Sequence, residues 1–334
     1  MKRCWMSLVL LAVMGSIAHC APPAAKPGTY LDPANAGPDY AIQGEYAAEA
    51  APWAAQLIAT GNGQFRAVFH AGGLPGAGWD AKTKLEIDGK LDSDKVVLED
   101  PARKISATLS GHVLAGRIED QAFELKKVHR QSPTLGAAPP AGAVVLFDGT
   151  PETLANQWAK GKLDDRGLLA VQGGGALTKQ SFGDFTLHLE FITPFMPGAK
   201  GQGRGNSGVY IQQRYEVQVL DSFGLGGADN ECGGIYKNAR PAVNMCLPPL
   251  TWQTYDIDFT AARYNADGTK ASNARATVRH NGVASHENQE SKGATGGGTG
   301  EKPPATGDHL AGPLYLPHPP PPPPPPPPRP PPQK

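Results

Sequence analysis

The groups best suited to chemistry sit in two short alternating runs. Residues 185–191 read Phe-Thr-Leu-His-Leu-Glu-Phe, and residues 215–221 read Tyr-Glu-Val-Gln-Val-Leu-Asp. Side chains of an extended chain point to alternate faces. Phe185, Leu187, Leu189 and Phe191 therefore share one face, with Thr186, His188 and Glu190 on the other. Likewise Tyr215, Val217 and Val219 lie opposite Glu216 and Gln218. Each run is a half-buried strand whose polar side carries a carboxylate. If both strands lie in one sheet over one core, Glu190 and Glu216 stand on a common polar face. Two carboxylates so placed can act as general base and general acid, and His188 can orient or replace one of them. Glutamates on a sheet surface are more often merely solvated. Glu216 and Gln218 stand apart because their strand is otherwise poor in charge.

Between the two runs lies PGAKGQGRG, residues 197–205, with Lys200 and Arg204 among its glycines. A phosphate cradle of this composition leads into a helix, whereas this one leads into Asn206-Ser207-Gly208 and a further strand-like run. It reads as a mobile lid over the site. Asp221, at the end of the second strand, is placed either to cap a loop or to add a polar contact.

Holding these groups requires sheets, and the chain reads as all-β. Strand-like runs at 53–59, 64–70, 83–87, 95–98, 105–109 and 123–125 are separated by Gly61-Asn62-Gly63, Leu74-Pro75-Gly76, Asp88-Gly89 and Ser110-Gly111. Turn signals at that spacing predict a small antiparallel meander over residues 39–131, as a curved sheet or partial barrel, with His70 a strand residue. Residues 132–142, SPTLGAAPPAG, have the composition of an inter-domain linker. From residue 143 the strand pattern resumes. In 252–259, Tyr255, Ile257 and Phe259 point inward, and 274–280 ends at the hairpin turn Asn281-Gly282. Many short strands and no long helix predict an antiparallel β-sandwich over 143–316.

Composition narrows the partners. The 31 basic and 31 acidic residues balance, so no global field recruits nucleic acid or an anionic membrane. Residues 1–20 resemble an export leader: Lys2 and Arg3, an apolar stretch over 7–14, then small residues. That stretch is too short to span a bilayer. Cys20 is the alternative attachment point for a lipid anchor. The chain is therefore expected in the periplasm, the cell envelope or the medium. Residues 21–38 read as a flexible linker, and 317–334 as a polyproline tail that cannot join a sheet. In an exported chain Cys232 and Cys246 are expected to pair as a disulfide. Nothing in the sequence calls for a cofactor or a metal.

Leu146-Phe147-Asp148-Gly149, Trp158, Asn206-Ser207-Gly208-Val209, the 215–221 run, Gly234-Ile235-Tyr236, Trp252-Gln253 and Asn281-Gly282-Val283 occur in that order. As a set they resemble the 3-keto-disaccharide hydrolase family, whose domain is similar to the concanavalin-A-like lectin/glucanase sandwich, a jelly roll. The resemblance covers about residues 143–316. It implies a glucoside substrate whose C3 is a ketone, which acidifies the C2 proton so that the C1 oxygen leaves by elimination and water adds afterwards. Glu216 and Glu190 then become the base and acid pair, in either order. Asn206, Arg214 and Gln218 become donors to hydroxyls or to the developing enolate, and Tyr236 and Trp252 become surfaces that stack on a pyranose ring. The chain departs from the family after residue 316, where a closing strand is expected and prolines stand instead. The departure predicts a shifted reading frame near residue 317 and an unpaired sheet edge. A sandwich of this kind also serves lectins, so a non-catalytic carbohydrate-binding module of the envelope is the second expectation.

Overall fold

In residues 44–128 small and large residues alternate on one side of successive strands, as in Ala55-Leu57-Ala59 and Phe65-Ala67-Phe69, all buried in one cluster. A curved sheet patterned this way can fill its own interior and so close on itself, which leaves no open edge. The computed structural model, which describes residues 2–5, 28–171, 173–305 and 307–317, shows that closure. Eight antiparallel strands form the barrel: Gly44–Ala47, Trp53–Gly61, Gln64–Ala71, Lys84–Asp92, Lys95–Asp100, Ile105–Ser110, Val113–Ile118 and Gln121–Val128. The first strand pairs with both the second and the last. The expected turn at Asp88-Gly89 is instead mid-strand. Gly89 is there for close approach, because a Cβ on it would run into Leu98 of the neighbouring strand. His70 lies in a strand as expected, buried and bonded through Nε2 to Gln56 Oε1 at 3.2 Å.

The second part is an antiparallel β-sandwich. One sheet has six strands in the order Val144–Val145, Lys2–Trp5, Phe185–Phe191, Gln253–Thr260, Arg275–His280, Val283–Glu290. The other has five: Trp158–Lys160, Ala176–Thr178, Tyr315–Leu316, Ser207–Ile211, Tyr215–Val219. Phe185, Leu187 and Leu189 of the first meet Tyr215, Val217 and Val219 of the second in a common apolar core. The backbone of Lys2–Trp5 pairs in parallel with both Val144–Val145 and Phe185–Phe191. That strand occupies the flank of Phe185–Phe191, while Tyr315–Leu316 is an internal strand of the five-stranded sheet. The remainder of the expected leader, Cys20, and the polyproline tail from residue 318 onward lie outside the described residues.

Barrel and sandwich share packing. Ile58 and Val68, on the outer side of the barrel, join the sandwich core beside Phe223, and Phe195 and Leu250 of the sandwich join the barrel core. Tyr30 exchanges backbone hydrogen bonds with Phe195 at 2.9 and 3.0 Å, so residues 28–38 run along this junction. No helix among the described residues is long and apolar enough to cross a membrane.

Candidate functional site

The two candidate carboxylates are not on one face. Their strands belong to different sheets whose apolar sides meet, so the polar sides point away from each other. The alternation of each strand is as expected; the assumption of a shared sheet is what the structure overturns.

On the outer face of the six-stranded sheet, His188 lies opposite Asp256 and Glu190 opposite Thr254. His188 Nδ1 is 2.6 Å from Asp256 Oδ1, and Nε2 is 3.4 Å from Glu190 Oε1. Burial opposes a charged imidazole here, but the hydrogen bonds and charges of Asp256 and Glu190 outweigh it and push His188 up to about 9. The residues read as a linker lie across this cluster. Ser132 Oγ meets Thr254 Oγ1 at 2.6 Å, Thr134 Oγ1 donates to Asp256 Oδ2 at 2.8 Å, and the Gly136 amide donates to Glu190 Oε1 at 2.5 Å. With Glu190 8% and His188 0% exposed, the cluster is a covered latch. It is not half of a catalytic pair with Glu216.

The outer face of the five-stranded sheet is built differently. Ser207–Ile211 and Tyr215–Val219 form a hairpin through Gln212 and Gln213, both at positive φ. That backbone is costly for a non-glycine residue. It is held because the buried Gln212 amide donates to the carbonyls of Phe182, Gly183 and Leu310 at 2.9, 3.2 and 3.0 Å. The register sets Tyr210 opposite Glu216 and Gly208 opposite Gln218. Leu177, Tyr315 and Tyr210 continue the row across the sheet through successive pairings. A Cβ on Gly208 would overlap Glu216 Oε1, so the carboxyl lies flat over a glycine.

Glu216 is 6% exposed and is pushed up to about 7 by burial, with the Tyr210 hydroxyl pulling the other way. Tyr210 OH donates to Gly296 O at 2.9 Å, and the Glu216 amide donates to Thr295 Oγ1 at 3.1 Å. Thr295 and Gly296, in a glycine-rich stretch, are thereby pinned beside the carboxyl. One end of the Gln218 amide lies 2.8 Å from Gln202 Oε1 and 3.3 Å from Asn206 Oδ1, the other 3.0 Å from Ser207 O and 3.2 Å from Glu216 Oε1, and Gln202 Nε2 donates to Asn230 O at 2.7 Å. A carboxyl near neutrality beside a tyrosine and a ring of side-chain amides can exchange a proton and grip hydroxyl groups.

The other expected residues separate. Tyr236, half-buried, sits at the rim, its amide donating to Glu216 O at 2.9 Å. Arg214 is turned to the carbonyls of Gln212, Gly300 and Ala311 at 2.9, 3.4 and 3.4 Å, which makes it a loop clamp and not a donor at the site. Asp221 is fully committed to a buried ion pair with Arg204 at 2.6 Å and to the Phe223 amide at 3.3 Å. That pair and Gln202 fix the 197–205 segment, so it is not a free lid. Trp252 immediately precedes the Gln253–Thr260 strand of the opposite sheet, away from Glu216. Cys232 and Cys246 are both buried free thiols, not the expected disulfide. Cys232 Sγ meets Tyr255 OH at 3.1 Å, and Cys246 Sγ faces the carbonyls of Leu220 and Leu247 at 3.5 Å. Among the described residues no three His, Cys, Asp or Glu side chains gather as a metal site. Tyr210, Gln202, Asn230 and Thr295 were not singled out in the sequence. Tyr210 alone had a signal, since pairing the two runs about Gln212-Gln213-Arg214 brings it opposite Glu216.

The model of the 3-keto-alpha-glucoside-1,2-lyase-like domain matches residues 142–318, more than half of the chain. The chain belongs to this 3-keto-alpha-glucoside-1,2-lyase-like family. Two solved structures of proteins from Parabacteroides distasonis ATCC 8503, each assigned as a glycosyl hydrolase, are similar to it. The first is 34% identical, covering 54% of this chain and 78% of that one, with a TM-score of 0.45. The second is 18% identical, covering 52% and 85%, with a TM-score of 0.33. A comparison with curated proteins finds no match. The family is carbohydrate-active, and the matched residues include both Glu216 and the amides around it.

Proposed function

We propose that the protein cleaves glycosides whose glucosyl C3 is a ketone, by elimination followed by hydration, with Glu216 as the base. The observation that carries this is a buried carboxyl, near neutrality, set against Tyr210 and a ring of side-chain amides on the outer face of a carbohydrate-active sandwich. Ionised Glu216 takes the C2 proton, and the electron pair moves into an enolate at the C3 oxygen. Amide N–H groups of the Gln218 and Asn206 set suit that developing charge. The pair then returns, forming the C1–C2 double bond and breaking the bond from C1 to the glycosidic oxygen. The proton held by Glu216 goes to the leaving oxygen. Water adds across the double bond, so the net reaction is hydrolysis.

The test is incubation with a 3-keto-disaccharide and with its unoxidised parent, in D2O, following free sugar and deuterium at C2. Cleavage of the keto form alone, with its loss in Glu216→Gln, is the expected result. Binding without turnover in both wild type and Glu216→Gln would overturn the reading in favour of a lectin-like module. We also propose that the protein is exported, on the strength of Lys2, Arg3 and the apolar 7–14 stretch. Cleavage of that leader would remove the Lys2–Trp5 strand from the sheet.

A further inference from the structure

We propose that the outer face of the five-stranded sheet carries a second subsite, over Tyr315 and Leu177 with Lys160 at its far end, that binds the leaving half of the substrate when that half is itself a pyranose ring. The inference rests on Glu216 being the base of the proposed function and deepens it, by naming the leaving group the site takes and the side of Glu216 on which it lies.

Directly opposed residues of an antiparallel pair share a face. Glu216 pairs with Tyr210, Tyr210 with Tyr315, Tyr315 with Leu177, and Leu177 with Lys160. These pairings make one row across all five strands. The row is on the outer face, since the neighbouring residues Val217, Val209, Leu316 and Ala176 belong to the core. Lys160 joins it through a shift in register. Trp158 opposes Thr178 and points inward, and the next two steps along its strand match one step of the other, which brings Lys160 opposite Leu177. An extra residue of this kind re-aims a side chain, and here it turns a cation outward. On the other side of Glu216 the row is short. Val217 bridges Ile235 and the Tyr236 amide donates to Glu216 O at 2.9 Å, so Tyr236 stands there at the rim.

Tyr315 is held as a platform. It is half-buried, and its ring centre lies 6.0 Å from that of Tyr210 with the planes tilted by 52°. Beside it is the turn Gly174-Gly175, both at positive φ. A Cβ on Gly175 would come within 2.9 Å of Tyr315 Cε2, and one on Gly174 within 3.0 Å of Lys160 Cε and Nζ. Glycine thus lets the ring and the lysine stem lie against backbone. A tyrosine so held offers rigid amphipathic contact area at small entropic cost. Leu177 extends its apolar surface, and the exposed Lys160 can donate to hydroxyls beyond it.

The direction follows from the chemistry. With the C2 proton at Glu216 and the C3 oxygen toward the Gln218 and Asn206 amides, the C1 bond to the leaving oxygen diverges from those amides. It then points along the row. The Tyr236 side ends at the rim, whereas Tyr315 lies two strands, roughly 10 Å, from Glu216. That leaves room for the reacting sugar beside Glu216 and a second ring over Tyr315.

The test compares two substrates of the full chain. One is a methyl 3-keto-glucoside, whose leaving group is too small to reach Tyr315, and the other a 3-keto-glucosyl-glucose. Tyr315→Ala should lower kcat/KM for the second by about tenfold, mainly through KM, and leave the first unchanged. Lys160→Met should act in the same sense by about threefold. Equal losses on both substrates, or no loss on the second, would overturn the proposal. If Tyr315→Ala does not fold, Tyr315→Leu fills the space without an aromatic ring and decides in its place. If the wild type turns over neither substrate, the proposed function fails and binding alone reads the subsite. The 13C ring resonances of Tyr315, identified by their loss in Tyr315→Phe, should then shift with unoxidised glucosyl-glucose and not with methyl glucoside; unmoved resonances would overturn the subsite as well.

Discussion

The two outer faces of the sandwich hold similar chemistry and put it to different use. On one, Glu190 and Asp256 each bond His188, and the three are roofed by Ser132, Thr134 and Gly136. Every charge there has a partner, and the result is an imidazolium pushed up to about 9. On the other, Glu216 has no cation beside it; burial is the first cause of its shift, and the carboxyl rests near 7. A paired acid in a covered cluster stabilises, whereas an unpaired buried acid is available to exchange a proton. Residue type does not separate the two cases. The identity of the neighbours does.

That contrast can be broken most severely at the Glu216 face. Glu216→Gln should lower turnover of a 3-keto-glucoside by about 10²–10⁴-fold while the melting temperature holds or rises. Gly208→Ala should cost roughly a hundredfold by displacing the carboxyl that lies over it, with circular dichroism showing an intact sheet. At the covered face the order of effects reverses. His188→Ala leaves Glu190 and Asp256 without their partner and should cost about 3 kcal/mol in a urea titration, with specific activity of the folded fraction unchanged.

pH sharpens the same comparison. The folded pKa of His188 lies above the ordinary value of 6.5. Its contribution to stability is therefore complete below 6.5 and lost as pH rises through about 9. Glu216 is also raised, from 4.5 to about 7, so the fold favours its protonated form and gives up that preference as pH rises through 7, while the ionised base appears over the same window. The Glu216 contribution is thus lost between 4.5 and about 7, and that of His188 between 6.5 and about 9. Activity should climb through neutrality while stability is already falling, with the activity rise absent in Glu216→Gln and the alkaline part of the stability loss absent in His188→Ala. The smallest effect is expected at Lys200, exposed in a segment already tied down by Arg204 and Gln202. Lys200→Ala should shift stability by less than about 0.5 kcal/mol and leave KM unchanged; a raised KM would restore the lid.

What the sequence disclosed follows from the range of its signals. Alternation in 185–191 and 215–219 is local, and both strands are present with the expected sides inward. Which sheet each joins depends on pairings between residues far apart, and so the shared face of Glu190 and Glu216 was not legible. Barrel closure escaped for the same reason, since Gly44–Ala47 must find Gln121–Val128 across the whole domain. Arg214 and Asp221 read as ligands because their partners are carbonyls and an arginine in other loops. Tyr210 is the reverse case, made important by register alone.

The roof over His188 carries one further consequence, in the language of amide exchange. Gly136 lies in a segment composed like a tether, is exposed, and would ordinarily exchange its amide proton with solvent quickly. Here that proton is held by the buried carboxylate of Glu190. It should be among the slowest to exchange between residues 132 and 142, and should quicken once alkali removes the His188 proton. A single glycine amide in an apparent spacer thus becomes a gauge of whether this face of the sheet is closed.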